Sequence, residues 1–202
     1  MMKSAWQVVA IQVSMLAVIS CGGYTAPSLS PSPTVDPVKV AQLESRPLNL
    51  PVVAPGGTCP GHRESLIDLG SGSITVNGDG PMYFSGKGLQ ATTAWGEYYD
   101  PTYYAPPQLT GLVLLRIRDL KSGRAGVFVG PYVAGDVVGT DTIDGKAVQQ
   151  HSEVVLDASH HPATSSKSKW GIWDVRQGWP TGWSGCFGFQ LDGAGFTEDF
   201  TY

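Results

Sequence analysis

Residues 112–118 alternate without a break. Val113, Leu115 and Ile117 fall on one side of an extended chain and Leu114, Arg116 and Arg118 on the other, the period of two expected of a strand with one buried face. Residues 187–191 repeat the pattern, with Phe187, Phe189 and Leu191 opposite Gly188 and Gln190; the large side belongs to a core. Shorter runs of the same character predict strands at 65–69, 73–76, 82–85, 127–129, 133–138, 153–156, 171–175 and 196–202. Gly, Pro, Asn and Asp fill the gaps, and Asn77-Gly78, Asp79-Gly80, Asp144-Gly145 and Asp192-Gly193 supply residues that tolerate the positive φ of tight turns. Past the first twenty residues no ten-residue window keeps a 3.6 period, so helices are at most short. Many short strands broken by frequent turn signals predict an all-β chain: a single β-sandwich, immunoglobulin-like or related, over residues 59–202.

Composition agrees with this pattern. Of 202 residues, 42% are hydrophobic, enough for a core, whereas only 15% are charged and 26 are Gly, a balance that favours turn-rich β structure over helix bundles. The net charge is −4 and the basic residues are scattered. Phosphate binding needs clustered Lys and Arg, so no nucleic-acid partner is expected.

The amino end has a different character. Met1-Met2-Lys3 precedes an apolar stretch over 5–19, interrupted by Gln7, Gln12 and Ser14. That length fits a signal-peptide apolar region better than a spanning helix. Val18-Ile19-Ser20-Cys21 resembles the lipobox of bacterial lipoproteins, with Val18 where Leu is commonest. The resemblance implies a lipoprotein signal peptide over 1–20, an acyl anchor on Cys21, a membrane as partner, and a location in the cell envelope facing away from the cytoplasm. Eight of the fifteen prolines fall between Pro27 and Pro60. Residues 21–58 therefore read as the lipidated Cys and a flexible, disordered Pro/Ser-rich tether. With Cys21 acylated, Cys59 and Cys186 remain as an even pair in an exported chain and are expected to form a disulfide, two buried thiols being the alternative.

Gly78-Asp79-Gly80-Pro81-Met82-Tyr83, Trp95 followed by Asp100-Pro101 and Tyr103, Trp179-Pro180, and the ending Gly185-Cys186-Phe187-Gly188-Phe189-Gln190-Leu191-Asp192-Gly193 together resemble exported proteins and lipoproteins of bacteria whose activity is uncharacterised. The resemblance spans roughly residues 59–202. It implies a β-sandwich and an extracytoplasmic location, and it brings no catalytic residues.

Three groups of residues are candidates for chemistry. Trp95, Tyr98, Tyr99, Tyr103 and Tyr104 crowd five aromatics into ten residues beside Glu97 and Asp100. As loop or edge residues they would offer flat faces to sugar rings. Trp170, Trp173, Trp179 and Trp183 make a second aromatic set. His151, Glu153, His160 and His161 would serve as N/O ligands of a hydrolytic zinc site if a turn after the strand brought them together. Gly182-Trp183-Ser184-Gly185-Cys186 misplaces the last glycine of a nucleophile elbow, and no P-loop or EF-hand pattern is present. No catalytic residue and no cofactor is expected. The leading expectation is a lipid-anchored envelope protein with a non-enzymatic binding or structural role, partnered by the membrane through Cys21 and by a glycan or an envelope protein. The alternatives are a glycan-binding module and a metal-dependent hydrolase.

Overall fold

The alternating run at 112–118 forms β7 (Leu112–Asp119), the strand about which the larger of two sheets is arranged. On one side lies β13 (Phe187–Gly193), with Leu115 opposite Leu191 and Ile117 opposite Phe189; on the other lies β10 (Lys146–Asp157), with Leu115 opposite Val154. One face of this sheet thus presents a continuous apolar row, as the alternation requires. The structure is a computed structural model and describes residues 35–61, 63–86, 88–160 and 169–202. The signal-peptide and lipobox expectations, Cys21, the start of the tether and His161 lie outside the described residues.

The larger sheet adds β4 (Leu89–Thr92), β5 (Gly96–Tyr99), β8 (Val127–Val129), β12 (Arg176–Pro180) and β14 (Phe196–Thr201), in the order β14-β13-β7-β10-β8-β12-β5-β4. β9 (Val133–Ile143) pairs with β10 outside this path. The smaller sheet runs β1 (Glu64–Asp68), β2 (Ser73–Asn77), β3 (Tyr83–Ser85), β6 (Thr102–Ala105), β11 (Gly171–Asp174). Both sheets are antiparallel, and among the described residues strand makes up 52% and one eight-residue helix is present, so the described part is mostly β as the sequence predicts. Met82, just before β3, and Phe84, Tyr103 and Trp173 of the smaller sheet meet Leu115, Ile117, Phe128, Leu156, Trp179 and Phe189 of the larger one in the main core.

The larger sheet curls into a half-barrel. The long β9–β10 hairpin turns at Asp144 and Gly145, both at positive φ, and its far half folds over β5. Gln150 Nε2 donates to Tyr98 Oη (2.7 Å), and Tyr98 Oη and Thr93 Oγ1 both donate to Asp141 Oδ2 (2.9 and 2.5 Å). Tyr98, Val127 and Ile143 fill the space beneath.

Three sequence expectations are corrected. Residues 35–58 are not a loose tether. Asp36 caps a helix, α1 (Pro37–Glu44), by accepting from the N–H of Val38, and Pro37 opens it. Leu43 of α1 is buried on Leu114 and Val155, on the outer face of β7 and β10. The chain then crosses β13, with Asn49 N donating to Gln190 Oε1 (2.7 Å) and Pro47 O accepting from Gln190 Nε2 (2.9 Å), and Leu50 and Val53 pack near Leu120. The outer face of that sheet is apolar enough to need a cover, and this segment supplies it. Secondly, the last hairpin turns at Ala194 and Gly195, not at Asp192-Gly193, because Asp192 is fully buried in the strand and bound to Arg116 Nη2 (2.6 Å), Gln190 Nε2 (2.9 Å) and Thr197 Oγ1 (2.7 Å). Thirdly, four of the five aromatics expected as loop or edge residues, Tyr98, Tyr99, Tyr103 and Tyr104, lie in two strands, β5 and β6, while Trp95 precedes β5. The expected disulfide is present: Cys59 and Cys186 are joined with their Cα atoms 5.6 Å apart.

Candidate functional site

β5 and β6 separate the aromatic run by burial. Tyr98 and Tyr103 are fully buried and Tyr104 nearly so. Tyr98 lies inside the curl, where burial, outweighing the Gln150 contact and assisted by Asp141, pushes its phenol far up. Tyr103 lies in the main core, donates to Gln177 Oε1 (3.1 Å), and has its phenol raised by burial. Tyr104 faces the other way, against Ile67 and Val76 on the outer side of the smaller sheet. Trp95 rests against Tyr98 with ring centroids 5.6 Å apart. The sugar-stacking platform predicted from Trp95, Tyr98, Tyr99, Tyr103 and Tyr104 is therefore not assembled, since strand alternation sends neighbouring rings into different cores. Of the five, Tyr99 lines an open cleft.

That cleft, about 390 Å³, opens between the two sheets where the aromatic core reaches solvent. β12 and β5 form one wall, in a register that sets Gln177 opposite Tyr99 and Trp179 opposite Glu97. Gly96 permits this close approach: a Cβ there would run into the Trp179 carbonyl. Trp183 follows β12 across a short turn, in which Thr181 N donates to Trp95 O (2.8 Å). Asp119 then fixes the chain beyond Trp183, accepting from Ser184 N (2.6 Å) and Ser184 Oγ (2.5 Å). Burial opposes ionisation of Asp119, but donors from Ser184, Ser122 and Lys121 outweigh it and hold the carboxyl down at about 2. Phe84 of the smaller sheet and Tyr202 at the chain end form the facing wall.

Glu97 organises the lip. Its Oε2 accepts from Tyr99 Oη (2.7 Å) and from Trp183 Nε1 (3.2 Å). The two rings stand nearly perpendicular, at 83° with centroids 6.5 Å apart. Burial and the Glu97 carboxylate push the Tyr99 phenol up to about 12, so its proton stays in the hydrogen bond at neutral pH. Trp183 is backed by Phe187 (4.4 Å, 26°), which stacks in turn on Trp179 (3.6 Å, 22°). Gln177, nearly buried, has its Oε1 occupied by Tyr103, which leaves its amide nitrogen as a donor at the cleft. Such a corner of rigid aromatics with a few polar heads can bind a ligand of matching shape.

The metal expectation fares differently. His151 and Glu153 lie on β10, with His151 opposite Phe128, while His160 lies past the strand end and binds Asp157 (2.9 Å). Among the described residues no three His, Cys, Asp or Glu side chains are placed to hold a metal ion. Glu153 Oε2 and His151 Nδ1 are buried without a hydrogen-bond partner. Sequence alone links neither Glu97 nor Trp183 to the cleft: the Glu97-x-Tyr99 spacing puts those two side chains on one strand face, and Trp183 carries no such local signal. Comparison with known protein families, curated proteins and solved structures finds no match for this chain.

Proposed function

We propose that this chain is a lipid-anchored extracytoplasmic protein, a β-sandwich tethered through Cys21 to the cell envelope, which acts by binding a ligand in the aromatic cleft and not by catalysis. The cleft carries the reading: Tyr99 and Trp183 are fixed on Glu97 before any ligand arrives, the preorganisation that lets a small site bind well. The lipobox-like Val18-Ile19-Ser20-Cys21 supports the anchor. The Cys59–Cys186 disulfide fits an oxidising compartment, though it supports location only weakly.

The anchor is tested by growing cells that express the full chain with a labelled fatty acid. Label is expected in the wild-type protein and in the membrane fraction, and neither in Cys21→Ala. An unlabelled wild-type chain recovered in the cytosol overturns the reading. The binding half is tested by following tryptophan fluorescence against a panel of envelope-derived solutes. A saturable change that Trp183→Ala abolishes supports it, and a flat response across the panel counts against it.

A further inference from the structure

We infer that the aromatic cleft recognises a quaternary ammonium group, seated at the corner formed by Tyr99 and Trp183 above Glu97. This rests on the reading of the cleft as the binding site and names the ligand chemistry. Tyr99 and Trp183 meet nearly perpendicularly with centroids 6.5 Å apart, so both rings lie within reach of one cation bound at the cleft. Attraction extends to about 6 Å from a ring centroid, and Trp and Tyr are the stronger partners. One carboxylate accepts both the Tyr99 O–H and the Trp183 N–H, which pushes electron density into both rings and deepens the potential above them. Phe187 and Trp179 stack behind Trp183, so the corner cannot collapse when empty.

Charge selects among rival ligands. The described lining is mostly aromatic, with Tyr99, Trp179, Trp183 and Phe187 among it and Gln177 as its amide. None of the described lining residues carries a positive charge, and an anion would meet the ring faces unfavourably. A sugar ring would need partners for several hydroxyls, and Gln177 is the lone amide in this lining. A quaternary ammonium needs no hydrogen-bond acceptor, only apolar contact for its methyl groups and negative potential for its charge. The volume leaves room for the substituent that carries it.

Choline and tetramethylammonium, titrated into the folded chain with tryptophan fluorescence as readout, are expected to saturate. 3,3-Dimethylbutanol, which has the shape of choline without its charge, is expected to bind about tenfold more weakly. Tyr99→Phe keeps the ring and breaks the link to Glu97, and should weaken choline about three- to tenfold while leaving near-ultraviolet circular dichroism unchanged; Glu97→Gln should act in the same direction. Trp183→Ala should remove binding. If that variant does not fold, Tyr99→Phe decides. Vesicles of phosphatidylcholine, compared with phosphatidylglycerol, separate a membrane headgroup from a free solute as the source. Equal affinity for the neutral isostere overturns the inference, as does a Tyr99→Phe variant that binds choline like wild type. Saturation by N-acetylglucosamine with no response to choline also overturns it while preserving the cleft as a binding site. A flat response to every probe overturns both.

Discussion

Glu153 and Glu198 hold carboxyl groups whose burial pushes each up to about 7. For Glu198, burial outweighs the N–H groups of Met82 and Asp79 that it accepts; for Glu153, the nearby Glu44 adds to burial and Arg116 opposes it. A carboxyl raised in the folded state binds its proton more tightly there than in the unfolded chain. Stability from these two groups is therefore full below the unfolded value, about 4.3, and falls as pH rises to about 7. Asp119 has the opposite sign: held at about 2, it stabilises above the unfolded value and loses that contribution as pH drops towards 2. The melting temperature should thus be higher near pH 5 than near pH 8, and Glu198→Gln should flatten the decline; an unchanged slope would remove Glu198 from the account. Arg116 and Asp192 make a different kind of contribution. Asp192 is fully buried, Arg116 nearly so, and they meet at 2.6 Å. Arg116→Leu removes the nearer cation from a buried carboxylate that keeps Gln190, Thr197 and, at 3.9 Å, Arg46, and is expected to cost about 3 kcal/mol in chemical denaturation.

At the scale of elements, α1 and the chain after it form a strap across the outer face of β13, β7 and β10. Leu43→Ala should destabilise the protein by about 2–3 kcal/mol and should speed amide exchange in 37–50 well before it affects β7. Uniform acceleration across all strands would show that the strap is not a separate unit. The strap also shows why part of the fold was hidden in the sequence. β7 and β13 were legible because one of their faces meets the main core and alternation follows. β10 was legible only over Glu153 to Leu156; its Gln150 is bound to Tyr98 inside the curl, so the apolar period stops while the strand continues. β6 hid because both its faces are covered, Tyr103 by the main core and Tyr104 by a second cluster, and no alternation survives. The strap depends on Gln190 reaching Pro47 and Asn49, a contact 141 to 143 residues long that no local pattern encodes. The cleft is similar. Tyr99 stood out by composition, but its union with Trp183 through Glu97 spans 86 residues and requires the β5–β12 register.

At the scale of the whole molecule, the Cys59–Cys186 bond closes a loop with a sequence separation of 127, joining the end of the strap to the start of β13. Replacing both cysteines by Ser should cost about 2–5 kcal/mol, read as a lower denaturant midpoint; an unchanged midpoint would mean the unfolded chain gains little freedom without the bond. The same bond sets what happens under tension. A pull at residue 35 would peel α1 and then residues 45–58 away from the sheet, contact by contact, until the load arrived at Cys59. There the force passes through sulfur into β13 and bypasses the strands between, so an extension trace recorded under oxidising conditions should show the strap letting go and then a body that cannot unspool between residues 59 and 186 without covalent rupture.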